Sequence, residues 1–112
     1  MDKIASYRKL IQDILVERAN LRAPSDPVQS QTIFDRENDR YQLVHVGWKN
    51  AHTRIYGCII HVDIIDGKIW VQHDGTEDAV ADELVANGIP QQDIVLAYHA
   101  PSMRQYTEFA VG

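Results

Sequence analysis

The sequence predicts an α+β fold: an antiparallel β-meander of four or five strands with an N-terminal helix and a second helix after strand four, packed on one face. Three observations lead there. Apolar residues at the start of the chain recur at helical spacing. From Val28 the pattern changes to β-rich runs separated by short polar breaks. A second helical stretch, closed by glycine and proline, follows the fourth run. The 112 residues make a single domain, 1–112, since domains cluster near about 100–150 residues.

Ile4, Tyr7, Ile11, Ile14 and Leu15 form one apolar stripe, which predicts a helix from about Asp2 to Asn20. "RAPSDP" ends it, because its prolines cannot supply the donors that a helix or a ladder needs. "VQSQTIFD", "YQLVHVGW", "RIYGCIIHVDII" and "KIWVQHD" then read as strands, separated by "RENDR", "KNAHT" and "DG". Asp66-Gly67 between β-rich flanks predicts a type I′ hairpin turn. That turn sets Ile65 opposite Lys68, Asp63 opposite Trp70 and His61 opposite Gln72. A five-residue loop at "KNAHT" sets Trp48 opposite Arg54, Val46 opposite Tyr56, Val44 opposite Cys58 and Tyr41 opposite His61.

"TEDAVADELVANGIP" reads as the second helix, with Thr76 as N-cap and an apolar stripe of Val80, Ala81, Leu84 and Val85. Glu77 and Asp78 favour the positive end of its dipole, and Gly88 stops it before Pro90. "DIVLAYH" reads as a fifth strand. The tail "APSMRQYTEFAVG" fits helix and strand equally poorly.

Strict alternation divides the sheet into two faces. Val44, Val46, Trp48, Tyr56, Cys58, Ile60, Val62, Ile64, Ile69 and Val71 form the expected core side, with Cys58 buried among them. Tyr41, Leu43, His45, Ile55, Ile59, His61, Asp63, Ile65, Trp70 and Gln72 form the other. Two helices with one apolar stripe each do not cover both faces. Tyr41, Leu43, Ile55, Ile59, His61, Asp63 and Trp70 are therefore expected to form an interface, most simply with a second copy across a two-fold axis, with Trp70 as its anchor.

Composition is that of a soluble globular protein, 45% hydrophobic and 24% charged. The formal net charge of −5 argues against direct nucleic-acid contact, which Lys and Arg mainly supply. Lys3, Arg8, Lys9, Arg18 and Arg22 cluster early and read as a solvated helix face; a DNA-binding surface built from the first helix is the competing reading. Asp74 to Met103 carries carboxylates and no Lys or Arg, which suits a basic partner. Cys58, the lone cysteine, points to a reducing, cytoplasmic compartment. "MDKIASYRKL" has no apolar segment of the signal-peptide kind, and the apolar run Ile55–Ile65 is far short of the ~20 residues of a membrane helix.

His45, His61 and Asp63 could together serve a metal-dependent or hydrolytic enzyme. The two histidines fall too far apart in this register to share one ion, so they read better as packed or interfacial. "ADELVANGIPQQDIVLAYH" superficially fits a helix-turn-helix, but its second half offers phosphates no basic residue. No phosphate loop, triad signature or zinc spacing is present. No catalytic residue, metal or cofactor is expected.

"IFDRENDRYQLVHVGW", "RIYGCIIHVDIIDGKIWVQHDGTED", "VADELVANGIPQQDIVLAYHAP" and "YTEFAVG", in that order, resemble the XisI family, the excision controlling factors of the fdxN element. The resemblance runs from "YRKLIQDIL" to the C-terminus. It implies a regulatory protein without catalytic residues of its own. With a companion, XisH, such proteins are required for a large serine recombinase to excise a DNA element in filamentous nitrogen-fixing bacteria. The expected function is therefore control of site-specific excision through protein partners, an XisH-like protein and a recombinase complex, beside the second copy expected at the uncovered sheet face.

Overall fold

Helix α1 (Lys3–Ala19) begins where the Asp2 side chain accepts from the Ile4 N–H at 3.0 Å. In this computed structural model, which describes residues 2–112, α1 buries Tyr7, Ile11, Ile14 and Leu15, the stripe that the spacing predicts. Strands β1 (Val28–Asp35), β2 (Arg40–Trp48), β3 (Arg54–Ile65) and β4 (Lys68–Asp74) follow as an antiparallel meander. Asp66 and Gly67 have φ of 51° and 80°, so both central residues of the β3–β4 turn adopt the left-handed conformation of a type I′ turn. At the other end of β3 the expected pairs Val44–Cys58, Val46–Tyr56 and Trp48–Arg54 are all present.

Helix α2 (Val80–Ala86) starts later than the sequence suggests. Thr76 is not its cap. Asp74 does the capping instead: one carboxylate oxygen accepts from the Thr76 N–H at 2.9 Å, the other from the Val80 N–H at 2.7 Å. Residues 75–79 are thereby held as a turn. After α2 the chain re-enters the sheet as β5 (Ile94–Leu96), parallel to β4. A helical crossover delivers a strand in the direction of its predecessor, which is why the meander ends at four strands. Two 3-10 turns, Gln91–Asp93 and Pro101–Tyr106, flank β5, and Ala110 donates its N–H to the Ile94 carbonyl at 2.8 Å.

Both helices lie on one face. Under them pack Tyr41, Leu43, Ile60, Val62, Ile64, Ile69 and Val71 of the sheet, with Val80, Ala81 and Leu84 of α2. This corrects the face assignment. A bulge between Leu43 and Val44 leaves Ile59 unpaired, so Tyr41 stands opposite Val62 and Leu43 opposite Ile60. A second irregularity sets His61 opposite His73 instead of Gln72. Each extra residue reverses the alternation beyond it. Tyr41 and Leu43 therefore belong to the core, whereas Val44, Val46, Trp48, Tyr56 and Cys58 turn to the opposite face.

α1 is fixed to the rest of the chain at four places, one of them Gln12, whose amide oxygen accepts from the Arg36 guanidinium at 2.8 Å. Lys3 and Tyr7 both reach Asp93; Arg8 makes a two-pronged contact with Asp39 at 2.7 and 3.0 Å; Arg18 binds Glu83 at 2.8 Å and Thr76 at 3.2 Å.

Candidate functional site

The face of the sheet opposite the helices is covered at one end only. Beyond β4 the C-terminal tail packs over it: Val95 is buried there beside Ala110, and the Arg104 guanidinium lies 5.3 Å from the Trp70 ring. Over β1–β3 none of the described elements covers it, and only Val44 is buried there among its neighbours. Ile33 is 52% exposed, Trp48 52% and Tyr56 77%. Between the last two sits Arg54, its guanidinium 5.5 Å from the Trp48 ring and 6.0 Å from that of Tyr56. Two aromatic rings bracketing an arginine, with Val46 and Cys58 behind them, are the side-chain types that anchor protein interfaces.

His61 and Asp63 lie on this face, as alternation predicts. The His61 ring nitrogen is 2.8 Å from Asp63, whose second oxygen accepts from the Gln72 amide at 3.2 Å. The group satisfies itself within the face and offers a polar spot beside the apolar one. Trp70 shares the face but is sheltered by the tail, so it is not a free anchor.

The remaining expected interface residues fall on the helix side. Tyr41 and Leu43 are fully enclosed. Ile59 packs against the core, and Ile55 pairs with Gly47 on that side as well. His45 is there too, in a groove of about 1010 Å³ between the end of α1 and residues 76–83. Burial and the nearby Arg22 charge hold its pKa below the usual imidazole range. The sheet thus separates His45 from His61 and Asp63, and the three cannot act on one substrate atom. Among the described residues no three His, Cys, Asp or Glu side chains are arranged to hold a metal ion.

Cys58 is half-buried on the open face rather than in the core. Its thiol lies 3.3 Å from the Ile60 carbonyl, and burial pushes its pKa up, away from thiolate chemistry.

The early basic cluster is consumed internally. Lys3 meets Asp93, Arg8 meets Asp39, Lys9 meets Asp13, Arg18 meets Glu83 and Arg22 meets Asp26. These cations form no unpaired stripe. Among the described residues no helix is long and apolar enough to cross a membrane.

A family model described as "XisI protein" matches residues 1–111. The chain belongs to the XisI family. Its fold matches the crystal structure of a XisI-like protein from Anabaena variabilis ATCC 29413 with a TM-score of 0.89 and 42% identity, over 96% of this chain and 98% of that one. It also matches the crystal structure of the fdxN element excision controlling factor XisI from Anabaena variabilis ATCC 29413, with a TM-score of 0.84 and 38% identity, over 99% of this chain and 100% of that one. A search of curated proteins gives no match.

Trp48, Tyr56, Arg54 and Ile33 were not legible as site residues while the faces were assigned by strict alternation. The signal was present. Ile59-Ile60 places two large apolar residues side by side inside β3, where a bulge restores both to one face, although the doublet Ile64-Ile65 at the strand's end has none.

Proposed function

We propose that this XisI-family protein is a cytoplasmic regulator of DNA-element excision that acts by binding other proteins, not by catalysis. The observation that carries the reading is the uncovered face over β1–β3, with Trp48, Arg54 and Tyr56 at its centre. Soluble proteins seldom leave such a surface without a partner. The similarity to a protein named as an excision controlling factor supplies the process.

Two further features support it. The cations of α1 and Arg22 just beyond it are each matched by a carboxylate, which reduces what they offer to the phosphate contacts that dominate nucleic-acid affinity. The residues of the enzymatic alternative stand on opposite sides of the sheet. The partner assigned to the open face is an XisH-like companion protein, through which the chain reaches a recombinase complex.

Co-expression of the chain with an XisH-like protein, followed by measurement of complex mass, tests the reading. A defined complex is expected with the unaltered chain. Tyr56→Ala should weaken it by about 2 kcal/mol, the loss typical of an aromatic anchor. A complex equally tight with Tyr56→Ala and Trp48→Ala would remove the face from the function.

A further inference from the structure

The two edges of the sheet are treated differently. β5 is closed by the chain itself, since Ala110 bridges to it along the edge. β1 has no strand beyond it. Between Val28 and Phe34 it carries no charged residue or proline, and its register with β2 runs unbroken from Val28 to Asp35 without a bulge.

The direction of its free groups follows from the ladder. Trp48 donates to the Pro27 carbonyl, so Pro27 and Trp48 are a bonded pair. Alternation then turns Gln29, Gln31 and Ile33 toward β2, and it turns the N–H and C=O groups of Val28, Ser30, Thr32 and Phe34 outward. The Val28 N–H is met by Asp26 at 2.8 Å, as expected of a group that faces away from the sheet. The outward groups of Ser30, Thr32 and Phe34 belong to a ready template.

We propose that this edge pairs antiparallel with β1 of a second copy, about a two-fold axis at Gln31, so that one sheet runs through both copies. In that register Val28 faces Phe34 and Ser30 faces Thr32. Every outward-facing residue thus meets another of the same set, and side chains directly opposite share a face. The register selects a second copy because it is self-complementary, and although molecules of net charge −5 repel over most of their surface, nothing charged opposes itself between Val28 and Phe34.

Apolar side chains flank the edge on both sides. Ile33 projects on the open face. On the helix face Val16, Leu21 (81% exposed) and Phe34 line one hollow, whose rim carries both signs in Asp13, Glu17 and Arg36. A two-fold axis perpendicular to the sheet puts the two hollows on the same side. The Trp48–Tyr56 surface stays available, so the proposal stands independently of the excision reading.

Sedimentation of the full chain at tens of micromolar tests it, with variants at the axis. The unaltered protein should be a dimer. Gln31→Lys and Gln31→Glu each set like charges face to face and should raise the dimer Kd on the order of a hundredfold. Mixing the two variants should restore a mixed dimer, which loss of folding could not produce. Thr32→Pro, which removes only an outward N–H, should also give monomer. A monomeric wild type, or a Gln31→Lys protein that dimerises like wild type, would overturn the proposal. A dimer lost on Tyr56→Ala but not on Gln31→Lys would overturn it too, and would assign the second copy to the open face.

Discussion

At the residue scale the fold is held by a few polar contacts at the rim of the core. Asp39 sits in the β1–β2 turn with φ of 54° and accepts from Arg8 and from the Tyr41 hydroxyl, the latter at 2.9 Å. It ties helix, turn and core together. Its hydrogen bond from Arg8, helped by that from Tyr41 and opposed by burial, holds its carboxyl below the usual range. A carboxyl whose pKa is depressed by folding stabilises the fold above its unfolded pKa and loses that contribution as pH falls through the folded value. Urea unfolding should therefore show stability declining in acid, and Asp39→Asn should flatten the decline. Asparagine tolerates the left-handed turn, so the neutral-pH cost is that of the charged contacts, about 1–2 kcal/mol given the partial exposure of Arg8.

Tyr7 and Tyr41 carry the opposite sign. Burial first, then the carboxylate each one meets, pushes both to about 12. Folding raises these pKa values above the unfolded value of 10, so the contribution is complete below that value and disappears as pH climbs through about 12. An alkaline titration followed by phenolate absorbance should leave Tyr7 and Tyr41 out of the step near the ordinary value. Both should ionise only with unfolding. Full titration of all tyrosines in one early step, with the fold intact, would contradict the packing described.

At the element scale, most of the architecture was legible from spacing. The α1 stripe, the four meander strands and the Asp66-Gly67 turn follow from local chemistry, which the sequence writes directly. Bulges are different. They arise where side-chain volume on one face outweighs the period of two, and the Ile59-Ile60 doublet looks no different in sequence from Ile64-Ile65, which carries no bulge. The resulting slip exchanged Tyr41 and Leu43 for Val46, Trp48 and Tyr56, and with them most of the candidate interface. The start of α2 was missed for a related reason: Asp74 reaches across the turn to the Val80 N–H, a contact invisible to a search for caps adjacent to the helix. Gly47 shows how tightly β2 is seated. A Cβ there would lie 2.3 Å from the Pro27 carbonyl oxygen, a backbone atom that cannot swing aside. Gly47→Ala should cost about 2–3 kcal/mol in chemical denaturation, from overpacking at the join of the loop and β1. A loss below that of ordinary surface substitutions would place Pro27 farther away.

At the scale of the whole molecule, the helices and the C-terminal tail between them leave one broad surface and one edge without a cover. The residues that reach this surface come from the adjoining ends of β2 and β3, Trp48 closing one strand and Arg54 and Tyr56 opening the next. That one face would lack a cover could be read from the sequence only as a shortage of apolar stripes. Which side chains compose it depended on the bulges. Cys58 lies within it, and slow labelling of the native thiol, abolished when a partner binds, would report occupancy without altering any anchor. The most direct test of the account is the affinity of the full chain for an XisH-like companion, measured by calorimetry for wild type and for Trp48→Ala/Tyr56→Ala. The double variant should bind at least about thirtyfold more weakly, while its unfolding midpoint stays close to wild type because both side chains are exposed. A companion that binds both proteins with equal affinity would contradict the account.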